Sequence, residues 1–168
     1  MPRNQSNNNS TVGPEVSIHG SCKGTRGRGG WAAVISDQGQ RQILSGNDRI
    51  TTAQRMTLLA AIKGIESINP NAPTVLYSSD RYLLNAIRNE TARTANKDLW
   101  AKLQTMIDDR NIKYLLVSAP RRADGIDIAK RIANMEANIY TIEPPSRLNT
   151  HSGSRAKSPR RPKRSTKR

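Results

Sequence analysis

The order in which the hydrophobic period changes between Glu15 and Glu143 constrains this chain more than any other feature. Glu15-Val16-Ser17-Ile18-His19 alternates as a short strand does. After a glycine-rich turn, Trp31-Ala32-Ala33-Val34-Ile35 has the continuous apolar character of a central strand. Asp37-Gln38-Gly39 reads as a hairpin turn that sends Gln40 to Gly46 back antiparallel. The period then lengthens. Leu58, Ala61, Ile62, Ile65 and Ile68 share one helical stripe, opened by the caps Thr51 and Thr52 and closed by Pro70. A strand at Thr74 to Ser78 follows, then a helix from Asp80 through Leu83 and Ile87. Another helix after Asn96 carries Leu99, Leu103, Met106 and Ile107. Ile112 to Val117 is the fifth strand, and a helix from about Asp124 turns Ala129, Ile132 and Ala133 inward. Three antiparallel strands continued by strand–helix crossovers predict an α/β fold of three layers. Its mixed five-stranded sheet has three antiparallel and two parallel strands, with helices on both faces.

Outside that region the composition changes. Residues 1–14 are rich in Asn and end in Gly13-Pro14, a disordered leader by composition. Residues 144–168 combine basic residues with Ser and Pro and carry no acidic residue, which predicts a disordered basic tail after a domain at 15–143. The chain has 28 Lys and Arg against 13 Asp and Glu, a net charge of +15. A polyanionic partner follows from that balance, most simply nucleic acid. Cys22 stands alone and cannot form an internal disulfide, so a reducing, intracellular setting in cytoplasm or nucleus is expected. No run approaches the roughly 20 apolar residues of a membrane span, and no membrane partner is expected.

Five local strings sharpen the fold prediction. They are Ile18-His19-Gly20-Ser21-Cys22-Lys23-Gly24 continuing to Gly27-Arg28-Gly29-Gly30-Trp31-Ala32; Thr51-Thr52-Ala53-Gln54-Arg55-Met56-Thr57-Leu58-Leu59-Ala60-Ala61-Ile62; Ser78-Ser79-Asp80-Arg81-Tyr82; Asp98-Leu99-Trp100 with Leu103; and Ile112-Lys113. In this order and spacing they resemble type 1 ribonuclease H, over nearly all of residues 15–143. The resemblance implies an RNase H-like fold. It also implies an activity in which two divalent metals on four carboxylates cleave the RNA strand of an RNA–DNA hybrid, because hard cations require anionic oxygen ligands.

The carboxylates that the family uses are replaced here. Its four acidic positions fall on His19, Thr57, Ser79 and Lys130, and its loop histidine on Pro120. Asp80 lies one residue past a lost ligand, where strand alternation would turn it to the opposite face. Asp127 lies one helical turn before Lys130. The expectation is therefore a pseudo-enzyme with no catalytic residues, no Mg²⁺ and no nuclease activity. His19 and Lys130 suggest instead that positive side chains hold a phosphate where metals would sit.

The nucleic-acid contacts expected are Lys23, Arg26, Arg28, Gln54, Arg55, Arg121, Arg122 and Lys130 on the domain, and Arg160, Arg161, Lys163 and Arg164 on the tail. Gln54 keeps the amide at the family's pair of asparagines that touch RNA 2′-hydroxyls. Arg26-Gly27-Arg28-Gly29-Gly30 is read as a hairpin turn rather than an RNA-binding box. Trp31, Trp100, Tyr77, Tyr82 and Tyr114 are assigned to the core. Residues 155–164 also have the composition of a nuclear localisation signal, and Ser158-Pro159 that of a phosphorylation site. The expected function is binding of duplex RNA or RNA–DNA hybrid, with a viral or mobile-element accessory role by analogy. The alternatives are a packaging or coat-like protein and a hybrid ribonuclease with an atypical active site.

Overall fold

The computed structural model describes residues 13–89, 93–110, 112–116 and 124–139. The elements run β1 (Glu15–Cys22), β2 (Gly27–Asp37), β3 (Gln40–Thr51), α1 (Ala53–Glu66), β4 (Thr74–Ser78), α2 (Arg81–Arg88), α3 (Lys97–Asp109), β5 (Ile112–Leu116) and α4 (Asp124–Glu136). The sheet order is β3-β2-β1-β4-β5. β2 is antiparallel to both β1 and β3, while β4 is parallel to β1 and β5 parallel to β4. The mixed three-plus-two sheet predicted from the periodicities is the sheet observed.

Local chemistry accounts for the element ends. The β2–β3 hairpin turns through Gln38 and Gly39, both with positive φ, the geometry that matches strand twist in a two-residue loop. Thr52 caps α1 by accepting a hydrogen bond from the Arg55 N–H at 3.3 Å. α1 stops at Ser67, whose N–H and hydroxyl both bond back to the Gly64 carbonyl, three residues before the proline expected to end it. Asp80 caps α2, accepting from the Tyr82 N–H at 2.8 Å.

Two expectations about the first hairpin are corrected. β1 continues to Cys22, three residues beyond the predicted end, and the turn is confined to the four residues before Gly27. Gly27 to Gly30 are therefore strand, not turn. A Cβ on Gly30 would collide with the Ala133 carbonyl, so glycine here lets α4 lie close on β2.

The main core lies between the sheet and α1, α2 and α3, where Val16, Ile18, Leu58, Ile62, Ile65, Leu76, Leu83 and Leu103 are fully buried. The opposite face packs α4 through Ala129 and Ala133 on Ala32 and Val34. Trp100 is buried, donating its indole N–H to the Tyr82 hydroxyl at 3.1 Å, while Trp31, Tyr77 and Tyr82 are half-buried. Among the described residues no helix is long and apolar enough to cross a membrane.

Candidate nucleic-acid interface

The parallel pairing of β1 with β4 brings their C-terminal ends to one end of the sheet. Ile18 stands opposite Ser78, so Ser79 and Asp80, just past β4, are level with His19 and Gly20. α1 starts at the same end. A Cβ on Gly20 would lie 2.6 Å from the Thr57 hydroxyl, which places Thr57 directly against the strand beside His19.

α4 supplies the remaining side. Gly125 lies against Ser17 and Asn134 against Ser21, whose hydroxyl donates to the Asn134 side-chain oxygen at 2.6 Å, so α4 runs alongside β1 in the same direction. Lys130 is one turn before Asn134 on the same stripe, about 6 Å back along the helix. Two residues back along β1, about 6.6 Å, is His19, on the same face as Ser21. Lys130, Asp80 and Ser79 thus lie near His19, and Thr57 lies against the neighbouring Gly20 on the α1 side of the sheet.

The electrostatics agree with that placement. Burial holds the half-buried His19 imidazole below its ordinary pKa of 6.5; the Lys130 ammonium lowers it further, and the Asp80 carboxylate opposes both. Asp80 does not turn to the opposite sheet face. β4 has already ended at Ser78, so strand alternation no longer applies, and its carboxylate caps α2 within range of His19.

These donors do not fit two divalent metals. The site offers an imidazole, two hydroxyls and an ammonium, and the Thr57 hydroxyl donates to the Ala53 carbonyl at 3.0 Å. Asp80, the acidic group that acts on His19, is bonded at the helix cap. Among the described residues no three His, Cys, Asp or Glu side chains gather to hold a metal ion. With Asp80 as the one carboxylate acting on His19, the site lacks the several anionic oxygens that two dications require.

Around this centre, Lys23 and Arg26 are exposed on the turn after β1, Arg28 is half-buried at the start of β2, and Gln54 is exposed in the first turn of α1. Arg55 is differently placed from expectation. Its guanidinium forks onto Asp98 at 3.0 and 3.2 Å and reaches the Asn96 amide oxygen at 3.4 Å, tying α1 to the start of α3. This clip raises the Arg55 pKa and lowers that of Asp98. The sequence reading missed Glu136 as an anchor: it accepts from Ser45 at 2.6 Å and from Asn47 at 2.8 Å, holding the end of α4 to β3. Polar residues facing each other across β3 and a helix end distant in sequence leave no local signal for such a bond. Pro120, Arg121, Arg122 and the tail residues Arg160, Arg161, Lys163 and Arg164 lie outside the described residues, as does Ser158.

Comparison with known proteins places this geometry among relatives. The RNase H family model matches residues 15–133. Ribonuclease H of Francisella philomiragia is 33% identical over 128 residues, covering 68% of this chain and 84% of that protein. Ribonuclease H of Caldanaerobacter subterraneus is 29% identical over 153 residues, covering 83% and 99%. Among solved structures, LC11-RNase H1 in complex with RNA/DNA hybrid superposes with a TM-score of 0.57 at 16% identity, over 73% of this chain and 94% of that one. These relatives correct one expectation. Proteins 29% to 33% identical to this chain carry the name of an enzyme, so the expectation of a non-enzymatic protein, drawn from the replaced carboxylates alone, does not stand.

Proposed function

This chain belongs to the ribonuclease H family, and from that premise we propose that it binds RNA–DNA hybrid, and duplex RNA of similar shape, across the end of the sheet where β1 and β4 terminate. The observation that carries this reading is the gathering of basic and amide groups at that end: Lys130 beside His19, Lys23 and Arg26 on the following turn, and Gln54 at the start of α1. Cations spaced along one rim suit phosphates, which position a duplex without reading its sequence. An amide at the rim suits the 2′-hydroxyls that line the wide minor groove of an A-like helix. The basic tail adds attraction for any polyanion.

The names of the relatives favour a second reading, hydrolysis of the RNA strand of such a hybrid. In this chain that reaction calls for a centre other than two metals on four carboxylates. One assay reads both. Labelled hybrid, duplex RNA, duplex DNA and single strands are titrated with full-length protein at about 150 mM salt with magnesium, and the strands are then checked for cleavage. Hybrid and duplex RNA should bind more tightly than duplex DNA, and the preference should survive replacing Arg160, Arg161, Lys163 and Arg164 with serine. Equal binding to all ligands, lost with those tail cations, would contradict recognition by the domain.

A further inference from the structure

We propose that the surface where α4 packs beside the second half of β1 is an anion site in which Lys130 and His19 together hold one backbone phosphate of the bound duplex, the protein's own ammonium replacing a divalent ion. This rests on the duplex-binding reading above. It starts from the mismatch between the donors present and the metals that the family resemblance implies.

Four observations support it. Lys130 is exposed on α4 and takes part in no ion pair among the described residues, although Asp127 lies within one turn of it. It sits on the stripe of Asn134, which the bond to Ser21 fixes against β1, so its position opposite His19 is set by the packing of a helix on a strand. His19 is half-buried, and its environment favours the neutral ring, which offers an N–H to an anionic oxygen without adding a second charge beside Lys130. Asp80, the carboxylate that acts on His19, accepts the Tyr82 N–H at the α2 cap and, among the described residues, forms no ion pair with Lys130. An ammonium and a neutral imidazole on facing elements suit a singly charged phosphodiester, whereas they repel or fail to ligate a hard dication.

The test uses full-length protein and fluorescently labelled RNA–DNA hybrid, with affinity measured by anisotropy across a salt series. Lys130→Ala should weaken binding about 5- to 10-fold and reduce the slope of log affinity against log salt by about one, the signature of a single lost phosphate contact. Lys130→Arg should keep that slope, and His19→Ala should weaken binding less. Chelating divalent ions with EDTA should leave wild-type affinity unchanged. Because Lys130 is exposed, melting curves of the two Lys130 variants should match wild type. If wild type binds and Lys130→Ala binds with the same affinity and slope, the anion site is wrong while the duplex reading survives. Binding that vanishes with EDTA and returns with magnesium also overturns the site, in favour of a metal. If wild type fails to bind hybrid at all, the duplex reading fails and the site fails with it.

Discussion

On the face of the sheet covered by α1, α2 and α3, long aliphatic side chains from both layers interdigitate, with Ile18, Leu58, Ile62, Leu76 and Leu103 withdrawn from water. On the face covered by α4, a smaller contact is made by alanines and glycine with Val34 and the partly buried Ile128 and Ile132, and polar pairs flank it: Ser21 with Asn134, Glu136 with Ser45 and Asn47, and Lys130 beside His19. The first face removes a large apolar area from water, which is the dominant stabilising term in a domain of this size. The second buries a smaller apolar cluster and gains less from it. Its small residues let α4 approach closely enough that the exposed stripe through Lys130 and Asn134 is held against β1. One face holds the fold together, and the other fixes where Lys130 and Asn134 stand against β1.

That division can be broken from either side. The largest effect should come from Leu58→Ala, which leaves a cavity in the apolar face and should cost about 2 to 5 kcal/mol by denaturant unfolding. Gly30→Val should cost less, about 1 to 3 kcal/mol, since the added side chain meets the α4 backbone near Ala133. Amide chemical shifts should then change along α4 and β2 but not along α3. Glu136→Ala removes the acceptor for Ser45 and Asn47 and should cost only about 1 kcal/mol, because both bonds are exposed. If Glu136→Ala proved as costly as Leu58→Ala, the α4 face would be a second core.

A smaller effect should appear on the pH axis. The His19 pKa is lower in the fold than its ordinary 6.5, through burial and Lys130, with Asp80 opposing. The unfolded chain therefore takes up the proton first as pH falls. Stability should be full above about 6.5 and should decline as pH drops from there toward the folded pKa. His19→Gln should flatten that part of the melting-temperature profile. A rise in stability over the same interval would place His19 beside a dominant negative charge instead.

Much of the fold is legible in the sequence because period and cap coincide: Thr52 and Asp80 cap the helices whose stripes begin just after them, and Thr74 to Ser78 is bounded as a strand on both sides. The glycine string misleads for a physical reason. Gly29 and Gly30 are read as turn residues, yet they are strand residues that make room for neighbouring elements, information that lies on α1 and α4 and not beside them in sequence. Arg55 misleads in the same way, since Asp98, which takes its guanidinium, is 43 residues away. The nearness of Ser79 and Lys130 to His19 is legible only through the family resemblance, because no local pattern links a strand end to a helix more than a hundred residues later. From residue types alone, replaced carboxylates point away from an enzyme; the relatives' names point toward one.

On the proposal above, the site at His19 and Lys130 is cationic through the protein's own side chains and does not take two divalent metals. The most direct test of this is titration of Mn²⁺ into full-length protein, following free Mn²⁺ by electron paramagnetic resonance. The same titration is run on a variant carrying His19→Asp, Thr57→Glu, Ser79→Asp and Lys130→Asp. Wild type should leave the Mn²⁺ free, and the variant, with carboxylates at all four positions, should take up Mn²⁺. Stoichiometric binding of Mn²⁺ by wild type that is lost in His19→Ala would contradict the account.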